Sequence, residues 1–384
     1  MDEVMTTNEK LKNIELLVDG ETAFPRIIER IRTATKTISI NMFIWRDDKI
    51  GNQLAQELLQ AADRGVKVRI VKDKLGELFE KAEETKQSFW HKDFNLGLWL
   101  KAAAVNTMYP MTGKAKSTKQ RPNSLARRLL VHQNVSVKKD TIIGDHSKYY
   151  IFDDRVLILG GMNIEDKSIY ADVEGKKYND YMVELVSQSF VEKFFQRLRH
   201  GAGFDEQAPL EFIFNVRRKG EIVYEVKDKI IQLLASARES IDILMAYLGE
   251  PDITQTIIEA ANRGVRINLL LPGKANLQHD LNMQVAKEIL AKTDNRVKVF
   301  LSRNMIHAKL IRVDNRTVTI GSANLNKQAM GKLLELNVLI KNYSDDFGQA
   351  LDQSIRRNLA SATRISDGGK IKFNPIRARL EQLG

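Results

Sequence analysis

The chain is written twice, and that repetition limits its fold more than any other feature. "IIERIRTATKTISINMFIW" (Ile27 to Trp45) matches "IIQLLASARESIDILMAYL" (Ile230 to Leu248): an amphipathic helix, then a strand-like apolar run. "AADRGVKVRIV" (Ala61 to Val71) matches "AANRGVRINLL" (Ala260 to Leu270): a helix end, a Gly stop, and a strand rich in Val, Ile and Leu. Strand, helix, Gly and strand in this order signal βαβ units. A repeat this long means a duplicated domain and not a solenoid. The expected fold is α/β: two similar α/β/α halves with mixed, mostly parallel sheets flanked by helices. The halves are expected to span 1–205 and 206–384, to pack about a pseudo-twofold axis and to share one active site.

A third block repeats as well. "DHSKYYIFDDRVLILGGMN" has its partner in "IHAKLIRVDNRTVTIGSAN". Both contain H-x-K-x4-D, as His146, Lys148 and Asp153 and as His307, Lys309 and Asp314. Both continue to a pair of small residues and an Asn: Gly160, Gly161 and Asn163, then Gly321, Ser322 and Asn324. One such block could be a core hairpin with an incidental His. Two blocks with the same spacing, at the same point of each repeat, argue against chance.

Residues i and i+2 of a strand share a face, so each His is presented with its Lys. Asp153 and Asp314 fall at the turns "DDR" and "DNR", where turn formation and local hydrogen bonding are expected. The returning strands bring Gly160, Gly161, Gly321 and Ser322 back beside the His–Lys pairs. Gly161 and Ser322 are expected to leave room for a phosphate, with Asn163 and Asn324 donating into the same space. Two His, two Lys and two Asn around one pocket suit a tetrahedral anion whose charge rises in the transition state. One neutral His can attack phosphorus while the other, protonated, serves the leaving oxygen. The lysines neutralise the phosphate, so no metal or other cofactor is expected. Each His also needs an acceptor to orient its second ring nitrogen. "KKYNDYMVELV" offers Asp180, with Asp172 as a rival, and "KLLELNVLI" offers Glu335 in the matching place.

These motifs resemble the phospholipase D superfamily, whose signature is the duplicated H-x-K-x4-D with G-[GS]-x-N behind it. The likeness runs from about Ile14 to about Leu359. "LLVDGETAFPRIIERI", "HAKLIRVDNRTVTIGSANLN" and "LELNVLI" are similar to the bacterial cardiolipin synthases, of the type lacking transmembrane helices. The resemblance implies a phosphohistidine intermediate, with His146 as nucleophile and His307 as acid and then base. It further implies transfer to a lipid alcohol, so that two phosphatidylglycerols give cardiolipin and glycerol. A phospholipase D hydrolase and a metal-independent nuclease remain open, because all three share the attack on phosphorus.

Cysteine is absent, which excludes disulfides and thiolate chemistry. The formal charge of +11 favours anionic partners, either acidic phospholipids or nucleic acid. There is no apolar run long enough to span a bilayer and no secretory signal, so a cytoplasmic protein, peripheral on the inner face of the membrane, is expected. The first half carries an insertion at about 75–140 that the second lacks. Within it Trp90 and Phe94 fall on one helical face, with Trp99 alongside. A basic stretch follows, with Lys114, Lys116, Lys119, Arg127 and Arg128. Aromatics beside a basic cluster suit docking on an anionic membrane. A core helix followed by a solvated loop is the plainer reading.

Overall fold

The computed structural model describes residues 13–82, 88–90, 123–139, 141–172, 175–201 and 204–383. Among them the first half forms strands β1 (Ile14–Val18), β2 (Thr37–Met42), β3 (Lys67–Lys72), β4 (Val135–Lys138), β5 (Tyr149–Phe152), β6 (Val156–Gly160), β7 (Tyr178–Asn179) and β8 (Tyr181–Val186). The second half forms β9 (Leu210–Arg218), β10 (Glu221–Tyr224), β11 (Ser240–Met245), β12 (Arg266–Pro272), β13 (Lys298–Ser302), β14 (Met305–Ile306), β15 (Lys309–Val313), β16 (Thr317–Gly321), β17 (Glu335–Lys341) and β18 (Thr363–Ile365). The first sheet runs β1-β8-β6-β5-β2-β3-β4. The second runs β10-β9-β17-β16-β15-β11-β12-β13-β18, the same order with one strand added at each edge.

Both sheets are mixed. The parallel pairs are β2–β3–β4 and β11–β12–β13, the βαβ units read from the repeats. The other ladders of each sheet are antiparallel, and they outnumber the parallel ones. The sequence understated this, because the βαβ pattern marks parallel pairs more visibly than the meanders that complete the sheet.

The helices follow from their apolar spacing. Asp19–Thr33 buries Ala23, Phe24, Ile27, Ile28 and Ile31, one stripe of a 3.6-residue period. Pro251 sits in the first turn of Pro251–Asn262, where its missing N–H costs nothing. Gly65 and Gly264 end the equivalent helices with φ of +97° and +94°, a conformation other residues resist.

Strand residues alternate between two cores. Tyr150 and Ile158 face a core under the helices of the first half, whereas Ile151, Leu157 and Leu159 face the second half. There they meet Phe212, Leu310, Ile320 and Val338 of the second sheet. This shared core explains why the hairpin strands are apolar throughout: both faces are covered. It also packs the two sheets against each other and brings the two H-x-K segments together. Two short contacts finish the junction. β7 pairs with β14 in parallel, and Asp145 bridges Leu334.

The insertion departs from the expected picture at Trp90. Its side chain is 5% exposed and packs edge-on to Trp45 and Phe89, at ring-centroid distances of 5.7 and 5.0 Å. It is part of the core and not a membrane anchor. Helical periodicity cannot tell an apolar face that meets lipid from one that meets protein. Arg127 and Arg128 are exposed on the helix Ser124–Val131. Phe94, Trp99, Lys114, Lys116 and Lys119 lie outside the described residues.

Candidate active site

Each H-x-K segment crosses the junction just before its hairpin begins. The His146 N–H donates to Leu334 O (2.9 Å) and the His307 N–H to Asn179 O (2.9 Å), so each His backbone is held by the opposite half. The side chains repeat the exchange. His146 Nδ1 lies 3.0 Å from Glu335 Oε1, and His307 Nδ1 lies 2.7 Å from Asp180 Oδ2. The sequence located both acids downstream of the hairpins; the structure gives each to the His of the other half. The rival Asp172 is exposed and accepts the Lys176 N–H (2.9 Å) in a local turn.

A carboxylate only accepts, so each Nδ1 carries the proton and each Nε2 keeps the lone pair that can act on a substrate. Lys148 donates to the carbonyl of His146, and Lys309 to that of His307. Lys309 Nζ also lies 3.1 Å from His307 Nδ1 and 3.3 Å from its Nε2. All six groups are buried; the two His are 9% and 7% exposed and the two Lys 0% and 1%.

Burial governs the electrostatics, because it penalises every charge. It holds both His rings well below their ordinary 6.5, with Lys148 and Lys309 adding repulsion. It pushes the Lys148 ammonium down to about 7 and that of Lys309 to about 8. It pushes Asp180 up to about 7 and Glu335 to about 8, against the pull of the two lysines. Two ammonium groups, two carboxylates and two neutral imidazoles sum to zero charge. The cluster is thus balanced without a ligand, and a bound phosphodiester anion would keep the lysines protonated and draw a proton onto one imidazole.

The small residues behind the hairpins serve a different end from the one expected. The N–H groups of Gly161 and Ser322 are taken by Tyr181 O (3.2 Å) and Leu336 O (2.9 Å). A Cβ at Gly161 would lie 2.4 Å from Asp180 Oδ1, so glycine makes room for the acid. Ser322 donates its hydroxyl to Glu335. Asn163 Oδ1 accepts the Ile44 N–H (3.3 Å), and Asn324 Oδ1 is buried without a partner among the described residues. Among the described residues neither amide hydrogen-bonds to the six-residue cluster.

Asp153 and Asp314 form the turns with φ of +51°, but their hydrogen bonds reach far along the chain. Asp153 accepts the N–H groups of Thr35, Lys36 and Thr37 (2.7–2.9 Å), and Asp314 those of Arg238, Glu239 and Ser240 (2.8–3.0 Å). Burial works against these carboxylates, yet the backbone donors hold both below the usual range. They tie each hairpin to the start of its central strand.

Two aromatic neighbours escaped the sequence reading. Phe43 meets the His146 ring edge-on, with centroids 4.8 Å apart, and Tyr178 stacks on His307 at 5.4 Å. Phe43 stands in the repeated block "NMFIW", whose counterpart "LMAYL" has Ala246 there. That break in the repeat was the available signal.

The family model for the cardiolipin synthase, PLD-like domain matches residues 27–200 and 230–359, both copies of the repeat. The chain belongs to this family. With it the protein takes its place among the PLD-type phosphatidyltransferases. Cardiolipin synthase B of Escherichia coli K12 is 27% identical over 371 residues, spanning 91% of this chain and 80% of that protein. A cardiolipin synthase of Clostridium perfringens strain SM101 is 23% identical over 384 residues, 94% of this chain and 73% of the relative. In fold the chain is similar to phosphatidylserine synthase of Haemophilus influenzae, with a TM-score of 0.69, 14% identity and coverage of 96% and 92%. No helix among the described residues is long and apolar enough to cross a membrane.

Proposed function

We propose that this protein joins two phosphatidylglycerols, or phosphatidylglycerol and a related lipid alcohol, through a phosphohistidine intermediate. The observation that carries the reading is the exchange of acids between halves, which commits both His residues to one buried, lysine-flanked cluster. His146 Nε2 attacks phosphorus, forming an N–P bond as the P–O bond to the glycerol headgroup breaks. Protonated His307 gives its Nε2 proton to the departing oxygen, and glycerol leaves. His307, now neutral, takes the proton of the incoming lipid hydroxyl. That oxygen displaces His146 from phosphorus, which returns both rings to their starting states. Lys148 and Lys309 balance the charge that builds on the phosphoryl oxygens.

The surroundings favour a lipid over a nucleic acid. Phe43 and Tyr178 wall the two rings, and Tyr178 joins an apolar cluster of Ala246, Tyr247 and Met305 with Ala275 and Leu277 beside it. Apolar walls around a few polar groups suit an amphiphile. Arg127 and Arg128 are exposed next to exposed Leu130 and Val131, which supports a peripheral contact with an anionic bilayer.

The test is mass spectrometry of lipids after incubating purified protein with phosphatidylglycerol vesicles in EDTA, beside a nuclease assay. Cardiolipin and free glycerol are expected. Phosphatidic acid as the sole product would make the protein a hydrolase, and cleavage of DNA or RNA without lipid turnover would make it a nuclease. Activity lost in EDTA and restored by a divalent ion would overturn the lysine-only account of charge.

A further inference from the structure

Asp19 begins the helix Asp19–Thr33, yet its backbone is left-handed, with φ of +59°. Asparagine, aspartate and above all glycine tolerate that conformation. The next residue is no freer: a Cβ at Gly20 would lie 2.1 Å from Ser168 O. Asp19 is 5% exposed.

Its contacts converge on one strand entry. The Asp19 N–H donates to Asp180 O (2.9 Å), and the Asp180 N–H donates back to Asp19 Oδ1 (3.1 Å). Asn179 Nδ2 donates to both Asp19 carboxylate oxygens at 3.1 Å. Arg357 of the helix Asp345–Ala360 reaches Asp19 Oδ2 at 3.2 Å, and Lys177 lies 3.7 Å from it. Asn179 and Asp180 are the two residues that hold His307: the first accepts its backbone N–H, the second its ring Nδ1–H. A single carboxylate therefore fixes both supports of one His.

The other half lacks this charge. Asn215 stands opposite Glu335 in the β9–β17 ladder, as Asp19 stands opposite Asp180 at the end of β1–β8. Its Oδ1 accepts the Val226 N–H (3.1 Å) at the start of a helix, and its Nδ2 donates to Ala329 O (2.7 Å). The two positions match in the fold and differ in charge.

We propose that Asp19 is a positioning residue for His307, holding Asp180 and Asn179 in register and adding negative charge behind the His307–Asp180 pair. This rests on the acid–base reading of His307 above. The groups facing His307 are Asp180, Lys309, Lys148, His146 and Glu165, with Tyr178 stacked on the ring. Those facing Asp19 are Lys177, Arg357, Asn179 and Asp180. Loss of the Asp19 charge makes the His307 imidazolium easier to deprotonate.

Asp19→Gly tests this, because glycine adopts the left-handed backbone without strain and removes the side chain with its carboxylate. With short-chain phosphatidylglycerol, kcat should fall about 10- to 100-fold, the range expected for a misplaced catalytic group, while KM changes little. The alkaline limb of the kcat profile should move to lower pH. Asp19→Asn keeps an acceptor for the Asp180 N–H but not the charge. It should restore part of kcat and leave the limb displaced. The Nδ1 proton resonance of His307, read by NMR on protein labelled with 15N-histidine, should shift or broaden in Asp19→Gly. Unchanged kcat, limb and resonance in a folded Asp19→Gly protein would overturn the inference. If that variant melts below the assay temperature, an Asp19→Asn limb that overlays the parent's would overturn it. Full turnover in His307→Ala would overturn both this inference and the reading of His307; the histidine resonance is independent of the lipid substrate.

Discussion

His146 and His307 occupy the same point of two copies of one hairpin, but their acids are anchored differently. Asp180 is held directly, accepting the Tyr181 N–H at 2.8 Å beside Gly161, where no side chain intervenes. Glu335 is longer by a methylene, and the matching Leu336 N–H goes instead to Ser322 Oγ (3.0 Å), which donates on to Glu335. Serine replaces glycine where glutamate replaces aspartate, and the hydroxyl relays the bond that the shorter acid makes itself. A duplicated site has thus diverged in linked pairs while both His–acid pairs kept hydrogen-bonding distance. The difference extends outward: Asp19 is charged where Asn215 is neutral, and Phe43 is bulky where Ala246 is small.

The largest effect should come from the imidazoles. His146→Ala and His307→Ala should each lower turnover by about 10⁴-fold or more, and the double variant should be no worse, since the two act as a unit. Two independent half-sites would instead leave each single variant with substantial activity. Next come the acids. Asp180→Asn and Glu335→Gln should each cost roughly 10²- to 10⁴-fold, because an amide can stabilise the wrong tautomer. Asp180→Asn should disturb the ring resonances of His307, and Glu335→Gln those of His146. The opposite pattern would break the exchange between halves.

The small residues should show the asymmetry most plainly. Gly161→Ser puts a side chain into the Asp180 carboxylate and should cost about 1–3 kcal/mol in stability as well as activity. Ser322→Gly removes no space and leaves Glu335 and the Leu336 N–H each a bond short, about 1–3 kcal/mol if no water enters. Its loss of kcat should be smaller than that of Gly161→Ser. Equal losses would mean that the two anchors are interchangeable.

The pH profile should show the gentlest effect. Both imidazoles are held below 6.5, so the acid limb of kcat/KM, where the nucleophile gains a proton, should lie below that value. Lys148 and Lys309 lose their protons near 7 and 8 in the free cluster, so kcat/KM should decline through that range as pH rises. A bound phosphate anion favours the His307 imidazolium as well as the charged ammonium groups, which places the alkaline limb of kcat, where His307 loses its proton, higher than that of kcat/KM. Coincident limbs would show that the lysines do not meet the substrate's charge.

Much of this was legible because duplication acts as an internal comparison. The repeated H-x-K-x4-D located both His–Lys pairs, and the parallel positions of Asp180 and Glu335 marked the acids. What stayed hidden depends on contacts across the junction. No sequence spacing links His146 to Glu335, 189 residues away. Gly161 looked like space for a ligand because a glycine shows that something approaches closely, and not what. Trp90 carried an apolar helical period that fits a core as well as a bilayer. Asp19 was unremarked in "LLVDGET", since a buried acid with positive φ looks in sequence like an ordinary helix start. The antiparallel majority of each sheet was understated because meanders leave weaker marks than βαβ units.

The asymmetry between the two imidazoles can be read most directly by trapping the intermediate. Protein mixed with phosphatidylglycerol, quenched rapidly in alkali and digested, would be mapped by mass spectrometry for phosphorus bonded to histidine. The account predicts the adduct on the peptide containing His146, none on that containing His307, and accumulation when His307 is replaced by alanine and the leaving group is activated. An adduct on His307, or turnover with no histidine adduct at all, would contradict it.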